Sequence, residues 1–204
     1  WLVKFKALYK KHFPSTPYIC LLRPEMAKDE RRMKLLGESG CMEVHMGVES
    51  GSYKYRTTML GRHMSNEVIL RACDNLKKYN MRITTFLMVG MPDESCLDML
   101  KSLLFIWKIR PTGMQTGIFY PLKGTPSYDY CAKNNLINWK KRKELVVYTY
   151  DTSLNVGFLK RYFIILCKWL LSGIPILAHF NFQLIPKFFK IQYRLWFQRR
   201  IDYT

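Results

Sequence analysis

Apolar and polar residues follow two distinct rhythms along the first two-thirds of the chain. Short apolar runs, typical of buried strands, are separated by longer segments in which apolar residues recur every three to four positions. Four of the short runs predict strands, at about residues 18–22, 42–48, 82–89 and 114–120. Strands that alternate with helices are typical of βα units on a parallel sheet, and the pattern therefore predicts an α/β fold.

The helical segments carry their own start and stop signals. They are predicted at about residues 28–38, 66–79 and 94–108. Ser65 precedes the second segment and is well placed to cap its first amides. Gly40 and Asn80 each follow a helical segment and precede a strand, where a left-handed residue ends the helix. We expect the third helix to start near Pro92, with the acidic residues after it in the first turn.

The strand and helix rhythm ends after about Tyr130. Residues 158–182 are rich in large apolar and aromatic side chains, but three basic residues interrupt them and Pro175 would break a membrane-spanning helix. We therefore predict an amphipathic or core-packing helical tail rather than a transmembrane span.

The chain is strongly basic, with a formal net charge of +18. From Trp139 onward twelve Lys or Arg stand against three Asp or Glu, a net charge of +9, so half of the excess lies in the last third. Such an excess favours nucleic acid or an anionic membrane as a partner. Its position assigns that partner to the tail.

The six cysteines argue against a local metal site. Successive cysteines are more than twenty residues apart, whereas a loop that wraps a metal needs close spacing. No secretory pattern follows Trp1, and the many apolar residues make stabilising disulfides unnecessary. The sequence therefore predicts a cytoplasmic protein with reduced thiols, no metal ligands of its own and a further segment upstream of Trp1.

Three glycine-containing segments directly follow three of the predicted strands. They are Gly-Val-Glu-Ser-Gly-Ser at residues 47–52, Gly-Met-Pro-Asp-Glu-Ser at 90–95, and Phe-Tyr-Pro-Leu-Lys-Gly-Thr-Pro at 119–126. In a parallel barrel or open sheet, ligands bind at the carboxyl ends of the strands, where these segments lie. Taken singly, each segment is equally compatible with simple chain reversal.

In this order and at these spacings, the three segments resemble the fourth, fifth and sixth strands of radical SAM enzymes, especially the group with an upstream cobalamin-binding domain. The helix start Arg-His-Met-Ser-Asn-Glu at residues 62–67 also resembles that group. The resemblance runs from about residue 5 to 138. It implies that residues 1–138 form the carboxyl-terminal half of a TIM-type barrel, an incomplete barrel of parallel βα units. Residues 139–204 then form a basic, aromatic-rich helical tail.

The iron–sulfur cluster of that family has no binding loop in this sequence. Family members hold a 4Fe-4S cluster with a Cys-x3-Cys-x2-Cys loop after the first strand, and this chain lacks the loop. The resemblance implies S-adenosylmethionine bound beside the cluster, a deoxyadenosyl radical or methyl transfer as the chemistry, and cobalamin as a further cofactor. The amino-terminal half-barrel and the cobalamin-binding domain would lie outside this sequence. We expect this chain alone to be inactive and assign no catalytic residue.

The first strand-end segment holds the cosubstrate residues that the resemblance implies most directly. Glu49 lies where family members place a polar residue that binds the ribose hydroxyls of S-adenosylmethionine, and a carboxylate accepts well from two vicinal hydroxyls. Ser50 with the amides of Gly51 and Ser52 would bind the methionine carboxylate, or Arg62 would do so. The alternatives are that Glu49 caps a turn or pairs with Arg62, and that Arg62 is a solvated surface residue.

The other two segments are implied to enclose the adenine ring. Met88 and Gly90 would form an apolar wall on one side of the ring, and Tyr120 with Pro121 would form the opposite edge. The alternative is that these residues belong simply to the core of the barrel.

A second hypothesis assigns the chain to a different class of protein. In it the chain is a degenerate, non-catalytic basic module that binds a membrane surface or RNA through its tail, where aromatic residues alternate with Lys and Arg. Its location would then be peripheral to a membrane. The same tail is compatible with closing the barrel or contacting a partner domain. The residues do not name the substrate, whether a small molecule or a lipid.

Overall fold

The computed structural model describes residues 1–144 and 150–179 of the 204-residue chain. Within these residues, the centre is one parallel sheet whose strands lie side by side in sequence order: β1 (Tyr18–Leu21), β2 (Cys41–Glu49), β3 (Arg82–Val89) and β4 (Gly113–Ile118). The four predicted strands are confirmed, with boundaries that differ by at most two residues. Parallel neighbours in sequence order are typical of consecutive βα units.

Helices connect and cover these strands. They are α1 (Leu2–His12), α2 (Pro24–Ala27), α3 (Glu30–Glu38), α4 (Tyr53–Thr58), α5 (Asn66–Lys78), α6 (Cys96–Ile109), α7 (Pro126–Lys133), α8 (Trp139–Glu144) and α9 (Phe158–His179). The three predicted helices between the strands correspond to α3, α5 and α6.

Local capping explains where two of these helices start and stop. The Ser65 hydroxyl accepts a hydrogen bond from the Val68 amide at 3.4 Å, which confirms the predicted cap of α5. Gly40 and Asn80 adopt the predicted left-handed conformation, with φ of 104° and 58°. Each therefore reverses the chain from a helix directly into the next strand.

The start of α6 differs from the sequence prediction. The helix begins after Ser95, whose hydroxyl accepts a hydrogen bond from the Asp98 amide at 3.1 Å. Glu94 turns away from the helix, and its carboxylate accepts from the amides of Gly90 and Met91. The expected place of Glu94 in the first turn was wrong, because the strand-end loop offers two amides to the same carboxylate.

The two faces of the sheet differ in burial. One face lies under the helices and is buried through alternate residues of β2 and β3, namely Val44, Met46, Val48, Ile83, Leu87 and Val89. The other face carries partly exposed side chains such as His45 and Phe86, and on β1 Ile19 and Leu21 are 50% and 78% exposed. In a barrel covered by helices, this second face is the interior.

The long helix of the tail, α9, packs on β4 and α6. Its inner face joins the same apolar core as the strands, through Ile164, Cys167, Leu171 and Ile174. Pro175 lies inside α9 rather than ending it. The predicted helical tail is confirmed for residues 158–179, and residues 180–204 lie outside the described part. The boundary predicted at residue 138 stays a prediction.

None of the helices in residues 1–144 and 150–179 is both long enough and apolar enough to cross a membrane.

Candidate functional site

Glu49 ends β2 in an unusual backbone conformation. Its φ is 67°, in the left-handed region that residues other than Gly, Asn and Asp rarely adopt. The pairing of β2 with β3 shifts register between Gly47 and Glu49, which marks a bulge. A residue in such a conformation costs about 1–3 kcal/mol, and strained residues cluster at functional sites. The bulge and the strained Glu49 therefore mark the carboxyl end of β2 as a candidate functional site.

The side chain of Glu49 forms an ion pair with Arg62. Arg62 Nη1 donates to Glu49 Oε1 at 2.6 Å and to the carbonyl oxygen of Gly47 at 3.1 Å. Burial raises the pKa of Glu49, and the positive charge of Arg62 opposes that rise. The structure thus contains the Glu49–Arg62 pair that the sequence offered as an alternative to ligand binding. It also brings both predicted ligand residues to one point.

Gly47 makes room for this pair. A Cβ atom at residue 47 would lie 2.4 Å from Glu49 Oε1 and 2.8 Å from Arg62 Nη1. Both distances are shorter than non-bonded contacts allow, so any larger residue would displace the two charged groups. The absence of a side chain at Gly47 lets the carboxylate and the guanidinium fold back over the end of the strand.

A recess of about 200 Å³ lies beside the ion pair. It is lined by residues of the first three strands and of the segments that follow β1 and β2: Leu21, Leu22, Arg23, His45, Gly47, Glu49, Arg62 and Phe86. Pockets that enclose a whole small-molecule ligand usually measure about 300–1,000 Å³. The recess is smaller than such a pocket and has room for only part of such a ligand.

The loop after Glu49 is held against α6. The Gly51 amide donates to Ser102 Oγ at 2.9 Å, and the Ser52 amide donates to Ser50 Oγ at 3.1 Å. A Cβ atom on Gly51 would lie 2.4 Å from the Cα of Ser102, which explains the glycine. Both amides that were predicted to bind an anion thus have partners within the chain. A carboxylate would have to displace these hydroxyls, so Arg62 is the better placed of the two candidates.

The end of β3 is organised by Glu94. Its Oε2 accepts from the amides of Gly90 and Met91 at 2.7 and 3.0 Å, while Oε1 is buried without a hydrogen-bond partner in the described residues. Burial raises the pKa of this carboxyl to about 7. Met88 packs against a buried cluster that includes Met91 and Phe119. Met88 therefore lies in β3, the strand next to the one that Glu49 ends, and Gly90 lies in the following loop, which the buried carboxylate of Glu94 holds.

Tyr120 and Pro121 lie after β4 and contact the tail. The Tyr120 hydroxyl donates to the carbonyl oxygen of Arg142 at 3.2 Å, and Arg142 Nη2 donates to the Pro121 carbonyl oxygen at 3.5 Å. The Arg142 guanidinium lies 5.6 Å from the Tyr120 ring centre. Tyr120 and Pro121 follow β4, and β3 lies between β4 and β2. They are therefore separated from Glu49 by the width of one strand at the carboxyl end of the sheet.

Two residues at this end of the sheet were missed from the sequence. His45 lines the recess, with Nε2 3.1 Å from Glu43 Oε1, and the alternation along β2 that leads to Glu49 was a signal for it. Arg56 is fully buried beneath the loop that follows Glu49. Nothing in the sequence around Arg56 distinguishes it from a solvated helix residue.

An open parallel sheet with polar side chains collected at the carboxyl ends of its strands defines a class of α/β proteins that bind small molecules there. Within that class, the family model of the Radical SAM superfamily matches residues 2–106, half of the chain. The chain belongs to the Radical SAM superfamily.

Three similar proteins show how far the likeness extends. An uncharacterised methyltransferase of Pyrococcus horikoshii is 28% identical over 116 residues, which are 55% of this chain and 25% of that protein. The radical S-adenosylmethionine methyltransferase TsrM of Kitasatospora setae, solved with cobalamin and a 4Fe-4S cluster, matches with a TM-score of 0.57 and 16% identity over 65% of this chain and 27% of its own. Coproporphyrinogen III oxidase (HemN) of Escherichia coli, a radical SAM enzyme, matches with a TM-score of 0.56 and 12% identity. The match covers 80% of this chain and 34% of that protein.

These likenesses confirm the predicted fold class, an α/β partial barrel of parallel strands with a helical carboxyl-terminal part. The chain spans about a quarter of the length of the methyltransferase it matches. It likewise spans about a quarter to a third of the two solved structures.

Proposed function

We propose that this chain supplies the cosubstrate-binding half of a radical SAM enzyme. In this proposal Glu49 accepts hydrogen bonds from the ribose hydroxyls of S-adenosylmethionine, and Arg62 binds its methionine carboxylate. The observation that carries the proposal is the strained Glu49, held 2.6 Å from Arg62 over the bare backbone of Gly47.

The donor and acceptor groups of the pair fit this ligand. S-adenosylmethionine offers two vicinal hydroxyls and one carboxylate, which need an acceptor and a cationic donor respectively. Glu49 and Arg62 supply one of each, and they satisfy one another at the edge of the recess. A ligand that binds between them replaces the Glu49–Arg62 contact with one contact to each residue. Both charged groups therefore keep a hydrogen-bond partner.

Other residues shape the rest of the proposed site. Met88 and Gly90 would lie beside the adenine, in the loop held by Glu94. Tyr120 and Pro121 would close the opposite edge. Ser50 and Gly51 would position the loop that carries Glu49, with their hydrogen bonds directed to α6 rather than to the ligand.

The residues of this chain do not fit the iron–sulfur cluster. The described part contains no group of three or more His, Cys, Asp or Glu side chains that would hold a metal. The six cysteines are also far apart in the sequence. The proposal therefore places the three-cysteine loop, the remaining strands of the barrel and a cobalamin-binding domain outside this chain. The coverage of about a quarter of TsrM supports that placement.

The chemistry of the whole enzyme follows from what S-adenosylmethionine supplies beside such a cluster, a deoxyadenosyl radical or a methyl group. This chain would bind the adenosyl and methionine ends, orient them and exclude water at the carboxyl end of the sheet. The methyltransferase relatives favour methyl transfer as the reaction. A cytoplasmic location stays a prediction.

The test is the affinity of the whole enzyme for S-adenosylmethionine, titrated without oxygen after cluster reconstitution. Glu49→Ala should weaken binding by about ten- to a hundredfold, which corresponds to about 1.4–2.8 kcal/mol. Arg62→Ala should weaken it less, because the cluster iron would share the methionine carboxylate. The matched control is Glu30→Ala, which breaks an exposed pair with Lys78 far from the site and should leave the affinity unchanged. An unchanged affinity in Glu49→Ala would remove that residue from the site.

A second candidate function, attachment to an anionic membrane surface, is favoured by the outer face of α9. Leu159, Leu166, Trp169 and Ile176 are 83%, 51%, 63% and 68% exposed at helical spacing. Three basic residues and no acidic ones accompany them along residues 158–179. Apolar residues beside basic ones suit a helix that lies in the headgroup region of anionic lipids. This attachment is compatible with the cosubstrate site, since the inner face of α9 packs on the sheet.

A further inference from the structure

Arg56 is a buried cation whose hydrogen bonds all end on neutral acceptors. The side chain lies on α4 and is fully buried. Its guanidinium donates to the carbonyl oxygens of Ser50 and Met64 and to the side-chain oxygen of Asn66, at distances of 2.5 to 3.2 Å. No carboxylate takes part in these bonds. The carboxylate of Glu67 acts on Arg56 only through its charge and not through a hydrogen bond. Burial of a charge is costly, and an apolar side chain of similar volume would avoid that cost.

The acceptors of Arg56 lie in the two segments that carry the ion pair of the site. Ser50 directly follows Glu49, and Met64 lies two residues after Arg62. The backbone of Arg56 joins the same segments, because its amide donates to the Ser52 carbonyl oxygen at 3.2 Å and its carbonyl oxygen accepts from the Arg62 amide at 2.7 Å. Arg56 therefore connects both segments through its side chain and through its backbone.

The connection made by Arg56 would stabilise the strained backbone of Glu49. A left-handed glutamate persists only where its surroundings fix the backbone on both sides. On one side the residue lies in the ladder with β3. On the other side the peptide of Ser50 is held by its amide, which donates to the Val48 carbonyl oxygen at 2.8 Å, and by its carbonyl oxygen, which accepts from Arg56.

We propose that Arg56 is a positioning residue that fixes the Glu49–Arg62 pair in the geometry that binds S-adenosylmethionine. The inference rests on the proposed function of that pair. Arg56 does not contact the ligand in this proposal. It sets the separation and direction of the two side chains that do, by fixing the segments from which they project.

The chain offers a matched control in Asn75. This side chain is also buried, and its Nδ2 donates to the carbonyl oxygens of Ala27 and Lys28, both at 2.9 Å. It joins α5 to α2 by the same kind of bond, away from the ion pair. Loss of either residue leaves buried carbonyl oxygens without a donor, so both changes should lower thermal stability. Only loss of Arg56 should change the site.

The experiment measures the affinity of the reconstituted whole enzyme for S-adenosylmethionine. Arg56→Met should weaken binding by at least about tenfold, and Arg56→Lys, which keeps one cationic donor, should recover a large part of that loss. Asn75→Ala should bind within about twofold of the unchanged enzyme although it melts at a lower temperature. Should Arg56→Met fail to fold, Arg56→Lys and Asn66→Ala, which removes one acceptor, provide the same comparison with smaller expected losses.

A double-mutant cycle separates positioning from general destabilisation. If Arg56 acts through the Glu49–Arg62 pair, adding Arg56→Met to Glu49→Gln should weaken binding by less than the product of the two single effects, whereas independent effects would multiply. Wild-type affinity in Arg56→Met, or full multiplication of the two effects, would overturn the positioning role. If Glu49→Gln weakens binding while Arg56→Met does not, the proposed function stands without this inference. If Glu49→Gln binds as tightly as the unchanged enzyme, the proposed function and the inference fall together.

Discussion

Glu49 strains the backbone at the end of β2. Glycine would adopt the left-handed backbone without strain, yet Glu49 occupies it with φ of 67°. The carboxylate gives a reason for the strain, because it is the group that holds Arg62 and that would accept the ribose hydroxyls. Gly47 leaves space for the carboxylate of Glu49, and the strained backbone of Glu49 directs its side chain into that space.

Glu94 should make the stability of the protein depend on pH. Burial raises its pKa from the ordinary 4.5 to about 7 in the folded protein. Between those two values the folded state keeps a proton that the unfolded chain releases, so the free energy of unfolding should fall as pH rises from about 4.5 to about 7. The loss should be on the order of 3 kcal/mol and should be complete about one pH unit above 7.

Glu94→Gln tests this dependence, because glutamine can still accept the Gly90 and Met91 amides but does not titrate. Denaturant unfolding at pH 5 and pH 8 should show a smaller loss of stability in Glu94→Gln than in the unchanged protein. Glu67→Gln, a change at an exposed carboxyl in the first turn of α5, provides the control. Equal losses in Glu94→Gln and the unchanged protein would contradict the buried, protonated carboxyl.

At the scale of elements, α9 divides its residues between two environments. Its inner face belongs to the core, while large apolar side chains remain on its outer face. The Trp169 ring stacks on Tyr150 at 6.4 Å, and Lys168 Nζ lies 4.2 Å from the centre of the Tyr150 ring. Aromatic and cationic groups therefore stand together on the outer side of this helix.

We predict salt-sensitive binding of the protein to vesicles that contain phosphatidylserine. Replacement of Leu166 and Trp169 by Gln should weaken binding by about tenfold or more, because two apolar side chains no longer enter the lipid. The control replaces Leu100 and Leu104, which are 43% and 69% exposed on α6, by Gln. Raising the salt from 0.1 M to 1 M should also weaken binding, since the Debye length falls from about 10 Å to about 3 Å.

The co-sedimentation of protein with vesicles measures both effects. Binding that is unchanged by salt and by the α9 substitutions would contradict a membrane-binding role of this face. Stronger binding to short RNA than to the vesicles would favour the nucleic acid that the charge of the tail also allows.

At the scale of the whole molecule, the sheet has two edges in the described residues. β1 and β4 are its outer strands, and the face that would form the barrel interior carries Leu21 at 78% exposure. An apolar edge strand is a template for pairing with another chain. The rest of a barrel would cover this edge and this face.

The chain of residues 1–204 expressed alone should therefore associate. Light scattering after size-exclusion chromatography should give a mass above that of a monomer, and Leu21→Lys should lower it, because an edge lysine opposes strand pairing. Leu104→Lys on the outer surface of α6 is the control, with a similarly exposed leucine away from the sheet edge. A monomeric chain that unfolds in one cooperative step would argue against the missing half of a barrel.

Local signals determined most of the fold. Strand and helix periods are properties of neighbouring residues, so β1 to β4 and the helices between them followed from the apolar pattern. The stop at Asn80 and the cap at Ser65 depend on one residue each and were confirmed. The strand-end motif around Glu49 was recognisable for the same reason, because its residues are adjacent in the chain.

The tertiary structure decided which partner each polar group found. Gly51 donates to Ser102, which lies 51 residues away, and Arg56 is buried only because α4 folds beneath the loop that it holds. Glu94 lies outside α6, where it was predicted, because the preceding loop places two amides within hydrogen-bond distance of its carboxylate. Local patterns specify elements and motifs, whereas burial and hydrogen-bond partners depend on segments that meet only after folding, and no period in the sequence records those meetings.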